Sequence, residues 1–194
     1  MNPFGEARKV EAESWPLIEP HLREWFRDGE FFLFHDEGEP DARNPFRDTP
    51  RDSIKDLQSI CDGVARCRDG SLVTVEFKAE KTHTGNLFLE TDSNLSLRRY
   101  RAGWLSSKRF HFLVYHFLDT GNLYGIHFYR LQDWLDERIP IGNGSRRTAP
   151  RLLKYRRVPQ SAYEQLNATC GVLVPIHDIR DAGNVILRET IALS

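Results

Sequence analysis

The sequence predicts an α/β protein. Three observations carry that prediction: an N-terminal segment with apolar residues at helical spacing, a series of short β-branched and aromatic runs bounded by turn residues, and further helical stretches after those runs. With 194 residues, 40% hydrophobic and 28% charged, the chain has the size and composition of one folded domain. It contains no repeat, low-complexity tract or linker, so a single domain over residues 1–194 is expected.

Residues 6–26 place Val10, Trp15, Leu17, Ile18, Leu22, Trp25 and Phe26 at approximately helical spacing, and Pro16 and Pro20 predict one broken helix or two short ones. The run Phe31, Phe32, Leu33, Phe34 suits a buried strand or a helix wall, and residues 37–50, rich in Gly, Pro, Asn and Asp, read as a loop. Strands are expected over 60–67 and 72–77, joined at Arg68, Asp69 and Gly70, and again over 87–90, 110–118 and 123–129. A helix over 131–138, a short helix over 162–168 and a late strand over 172–176 complete the order.

Composition removes several function classes. No apolar run approaches the roughly 20 residues that span a bilayer, and the first residues show neither a secretory nor a transit pattern, so the expectation is a cytoplasmic protein without a membrane partner. Cys61, Cys67 and Cys170 are odd in number and lack C-x-x-C spacing, which argues for structural thiols. The formal charge of −1 conceals a split: residues 1–92 hold 12 basic and 20 acidic side chains, and residues 93–194 hold 15 and 8. Such asymmetry is one sign of a polyanionic partner, and solvated faces produce it as well.

The hairpin is the informative region. If residues 68–70 form a three-residue loop with Gly70 left-handed, Cys67 pairs with Ser71, and counting back sets Asp62 opposite Glu76. Alternation then puts Lys78 on the same face, with Val75 and Phe77 directed into a core. A two-residue Asp69-Gly70 turn would instead pair Asp62 with Phe77 and separate the acids. Two neighbouring carboxylates repel unless a proton or a cation lies between them, and hard oxygen donors suit Mg²⁺. A lysine beside them can hold an attacking water or stabilise charge developing on a phosphate.

In Asp62 followed by Glu76-Phe77-Lys78, the chain resembles the PD-(D/E)XK nuclease superfamily. Gln58, the segment Thr84-Gly85-Asn86-Leu87-Phe88-Leu89-Glu90, the pair Gly103-Trp104 before Phe112 to Tyr115, and the helix around Leu131 and Trp134 are similar to small phage and prophage-encoded members. The resemblance covers roughly residues 52–135. It implies a restriction-endonuclease-like fold, a central mixed β-sheet of about five strands flanked by helices. It further implies a Mg²⁺-dependent endonuclease, with Mn²⁺ as a substitute, that hydrolyses phosphodiester bonds in DNA inside a bacterial or phage-infected cell. Asp62 and Glu76 would be metal ligands with the Phe77 carbonyl, Lys78 the catalytic lysine, and Gln58 and Glu90 secondary site residues. Family members often add a glutamate from the first helix, for which Glu6, Glu11 and Glu13 compete. Two positions depart from the pattern: Cys61 stands in place of the proline before the signature Asp, and Arg109-Phe110-His111 in place of an Asp entering the fourth strand.

Beside such a site, Arg98, Arg99 and Arg101, with Arg146, Arg147 and Lys154, read as phosphate contacts. Tyr100, Trp104 and Tyr155 lie among those cations, as stacking residues or as core. His83, His111, His116, His127 and His177 share no metal-ligand spacing, and strand alternation accounts for His111 and His127. Symmetric dimers are the commonest assembly, so a homodimer is expected, and a protein partner stays open. The modest net charge and the two departures motivate an alternative, a catalytically inactive nuclease-fold module that binds nucleic acid or a host protein. No residue separates DNA from RNA as substrate.

Overall fold

A computed structural model describes residues 3–26, 30–33, 51–94, 101–138, 157–159, 170–183 and 185–191. The chain is a mixed α/β protein that divides into two compact units, one of residues 1–83, 109–127 and 186–194, the other of residues 84–108 and 128–185. None of its described helices is long and apolar enough to cross a membrane. The expected loop over 37–50 and helix over 162–168 lie outside the described residues.

The first unit opens with α1 (Pro3–Trp25), a single helix where the prolines predicted a break. Pro16 and Pro20 are both exposed, so the carbonyls that lose a backbone donor face solvent and can be hydrated while the apolar stripe stays continuous. β1 (Glu30–Leu33), α2 (Arg51–Gln58), β2 (Gly63–Arg66) and β3 (Leu72–Glu80) follow. β2 is shorter than the expected strand because residues 59–60 form a turn capping α2, with the Ile60 and Cys61 N–H groups donating to the Leu57 carbonyl. The helix α2 itself was not anticipated.

In chain order the second unit then contributes β4 (Asn86–Asn94), β5 (Arg101–Ala102) and α3 (Trp104–Ser107). The first unit resumes with β6 (Phe112–Phe117) and β7 (Asn122–His127). The second continues with α4 (Phe128–Asp136), β8 (Arg157–Pro159), β9 (Cys170–Pro175) and α5 (Ile176–Asp181), and β10 (Val185–Thr190) ends the order. The expected strand to Tyr129 thus stops at His127, and α4 begins three residues earlier than the apolar spacing indicated.

The sheet of the first unit runs β1-β2-β3-β6-β7-β10. It is mixed: β1/β2, β2/β3 and β6/β7 are antiparallel, and β3/β6 is parallel. Five of its six strands were anticipated in whole or part, and β10 was not. Helix α1 packs on β1 and β3, burying Ile18, Leu22 and Phe26 with Ala65, Val75, Phe77, Val114, Leu123 and Ile191. Glu189 on β10 ties this helix down further, accepting the Trp25 indole N–H at 2.5 Å and pairing with His21.

The second unit has a four-stranded sheet, β5-β4-β9-β8, in which β4 pairs antiparallel with both β5 and β9. The expected strand over 87–90 therefore exists but belongs to this separate sheet. Leu87, Leu89, Val172 and Val174 are buried on it, and the Gln132 amide on α4 donates to the Leu105 carbonyl of α3 at 3.0 Å.

Candidate active site

The hairpin adopts the register that brings the acids together. Arg66 pairs with Leu72 and Gly63 with Val75, where the ladder ends one residue short of Asp62 and Glu76. The Cys67 N–H donates to the Ser71 carbonyl at 2.8 Å, the Gly70 N–H donates to the Cys67 carbonyl at 2.9 Å, and Gly70 has φ of 82°. The loop is therefore the three-residue form with a left-handed glycine. Val75 and Phe77 enter the core beneath α1, so Glu76 and Lys78 share the opposite face.

Asp62 lies just before β2, held by two backbone contacts: its N–H donates to the Val75 carbonyl at 3.1 Å, and its Oδ2 accepts the Phe77 N–H at 3.0 Å. Glu76 has no solvent exposure and sits on β3 between β2 and β6. Lys78 Nζ is 2.9 Å from Glu76 Oε1, 3.5 Å from Asp62 Oδ2 and 3.9 Å from Glu11 Oε1 on α1. Burial works against the Lys78 charge, but the carboxylates of Asp62, Glu76 and Glu11 outweigh it and hold the ammonium above lysine's usual range.

Between the two N-terminal glutamates with described side chains, this geometry distinguishes Glu11 from Glu13. Glu11 reaches the cluster, whereas Glu13 is exposed and pairs with Lys9 at 3.7 Å. Glu6 falls where side chains are outside the described residues. The signal was present in the sequence: Glu11 is four, seven and eleven residues before Trp15, Ile18 and Leu22, so it is an acid on the apolar stripe.

Among the described residues no three or more His, Cys, Asp or Glu side chains are grouped closely enough to hold a metal ion. The donor set at hand is two carboxylates with one main-chain oxygen. N–H and C=O of one strand residue face the same neighbour, so the Phe77 carbonyl points, like its N–H, to the side where β2 has ended and Asp62 begins. Three oxygens leave room for the waters that Mg²⁺ retains, and hard oxygen donors are its preferred ligands. The residues present fit such an ion.

The other expected site residues are placed as follows. Gln58 is half-buried at the end of α2, four residues before Asp62. Glu90 lies on β4 of the second unit opposite Gly171, and Arg101 opens β5 of that unit. Arg98, Arg99, Arg146, Arg147 and Lys154 lie outside the described residues, as do Tyr100 and Tyr155; Trp104 is buried at the start of α3. At the two departures, Cys61 is buried with its thiol donating to the Gly63 carbonyl at 3.3 Å, and the Arg109 N–H donates to the Ile60 carbonyl at 3.2 Å. Neither Cys61 nor Cys67 is in a disulfide.

Between α1 and β6, Ser14 and His116, both without exposure, share a hydrogen bond of 2.5 Å through His116 Nδ1. Burial, with the nearby His21, lowers the His116 pKa from 6.5 to about 4. The unfolded chain then binds a proton that the folded one refuses. Stability should be complete above the ordinary histidine range and fall by on the order of 3 kcal/mol as the pH drops toward 4. Chemical denaturation across that window checks this, with His116→Gln expected to remove much of the slope. Compared with protein-family models, curated proteins and solved structures, the chain matches none of them.

Proposed function

We propose that the protein is a metal-dependent endonuclease of restriction-endonuclease-like fold that hydrolyses phosphodiester bonds in DNA. The observation carrying this reading is the convergence of Asp62, Glu76 and Lys78 on one face of a mixed sheet, with Glu11 beside them. A divalent cation held by Asp62, Glu76 and the Phe77 carbonyl would polarise the scissile phosphate and lower the pKa of a water. The chain's own residues do the rest. Glu76 supplies buried negative charge, Asp62 is oriented by the Phe77 N–H, and Lys78 places a charged ammonium where an attacking water or a developing phosphate charge needs a donor. Arg98, Arg99, Arg101, Arg146, Arg147 and Lys154 would supply sequence-independent affinity for the nucleic-acid backbone.

The test is cleavage of supercoiled plasmid, linear duplex, a four-way junction and a structured RNA by wild type and Lys78→Ala, in Mg²⁺, Mn²⁺ or EDTA. Metal-dependent cutting that is lost in the variant is the expected result, and the preferred substrate names the class. Cutting shared by both proteins means a contaminating nuclease or a misassigned site. No cutting by either favours the alternative, a non-catalytic module that binds nucleic acid or a protein.

A further inference from the structure

We propose that Lys78 is the resident counter-cation of this site: its ammonium and a divalent metal ion compete for the oxygens of Asp62 and Glu76. The lysine thus holds the carboxylates together in the metal-free protein and weakens ion binding. The inference rests on the metal-nuclease reading and adds to it how the site is loaded.

Three carboxylates and one ammonium meet here, so the lysine offsets only part of a formal charge of −3 and leaves −2. Glu76 is wholly buried and Asp62 nearly so, and a buried carboxylate without a cation costs several kcal/mol. Something must occupy the space between them before any metal arrives, and Nζ already lies within 3.5 Å of both. Its hold is reversible by construction. The Lys78 side chain is 26% exposed on a flexible four-carbon stem, so leaving needs side-chain rotation and no movement of β3. Glu11, on α1 and 3.9 Å away, offers the displaced ammonium a carboxylate outside the pair that binds the ion. A divalent ion entering between Asp62 and Glu76 would place two cations within a few ångström unless the lysine moves aside, and that repulsion opposes binding.

The experiment is Mg²⁺ titration by calorimetry, without nucleic acid, on the full chain as wild type, Lys78→Met, Lys78→Arg and Asp62→Asn. Lys78→Met should bind Mg²⁺ about tenfold more tightly than wild type, the size expected for removing one partly buried competing charge. Lys78→Arg keeps the charge and should stay near wild type. Metal-free Lys78→Met should unfold at a lower temperature, and saturating Mg²⁺ should close most of that gap. Should that variant not fold without metal, wild type still decides: Mg²⁺ should increase labelling of Lys78 by an amine reagent, read by peptide mass spectrometry against exposed Lys9.

Equal or weaker binding by Lys78→Met, or unchanged Lys78 labelling in metal-bound wild type, overturns the inference while Mg²⁺ uptake abolished by Asp62→Asn leaves the nuclease reading standing. Absence of Mg²⁺ uptake by both wild type and Lys78→Met overturns the two together.

Discussion

Glu76→Gln is expected to slow single-turnover cleavage of DNA at saturating Mg²⁺ by about 10³-fold, within the range that single charged groups contribute to proton transfer and charge stabilisation. The amide is nearly isosteric, so the parallel pairing of β3 with β6, where Glu76 faces Leu113, has no steric reason to change. What is lost is the charge. Glu76 has no exposure, so no solvent counter-ion compensates, and the closest partner of Lys78, at 2.9 Å, becomes neutral. Asp62 at 3.5 Å remains, which limits the damage to the fold: removing one partner of a fully buried pair costs about 3–5 kcal/mol, and a lysine that keeps a second carboxylate should lose less. Rapid-quench cleavage assays, with circular dichroism to verify folding, separate the two effects. A folded variant that cuts within about tenfold of wild type would remove Glu76 from the chemistry.

Gly121→Ala should be the most damaging small substitution outside the site. Gly121 has φ of 64°, and a Cβ built there would lie 2.1 Å from the Ile191 carbonyl oxygen, a backbone atom that cannot rotate away. The same glycine accepts the Ile191 N–H at 2.8 Å, and Ile191 is buried in the core beneath α1. The left-handed conformation alone costs a non-glycine residue about 1 kcal/mol; displacing the buried segment should bring the total to about 3 kcal/mol. For a chain of this size that lowers Tm by about 6–12 °C. Gly70→Ala is the internal control. Its φ of 82° carries the same backbone cost, but no atom lies within 4 Å of the added Cβ, so it should lose about 1 kcal/mol only. Equal losses in thermal melts would mean that the contact with Ile191 is not the cause.

The hairpin of the candidate site was readable because its information is local. Gly70 selects the loop, the loop fixes the register, and alternation then assigns every side chain of β2 and β3 to a face. Glu11 was half-readable, since its spacing to Trp15 and Ile18 marks the buried stripe but nothing in the sequence says which strand that stripe covers. Phe128 and Tyr129 suit a strand as well as a helix, which is why the end of β7 was overrun. The polar ending Arg188-Glu189-Thr190 hid β10, whose partner β7 lies some 60 positions earlier. Segregation of β4 into a second sheet depends on pairing with β9, again remote in the chain.

The discontinuity of the first unit has a kinetic consequence. Its sheet is assembled from segments that end near residues 83, 127 and 191, and the parallel β3/β6 pair joins strands separated by the whole of β4, β5 and α3. During synthesis the hairpin can form at once, yet β7 must wait with an open edge until residues 185–190 have been made. Distant pairings of this kind slow folding and expose unpaired strands in the interval. The nascent chain should therefore be most prone to aggregation between emergence of β7 and docking of β10, and arrest of translation in that interval should leave the first unit sensitive to protease.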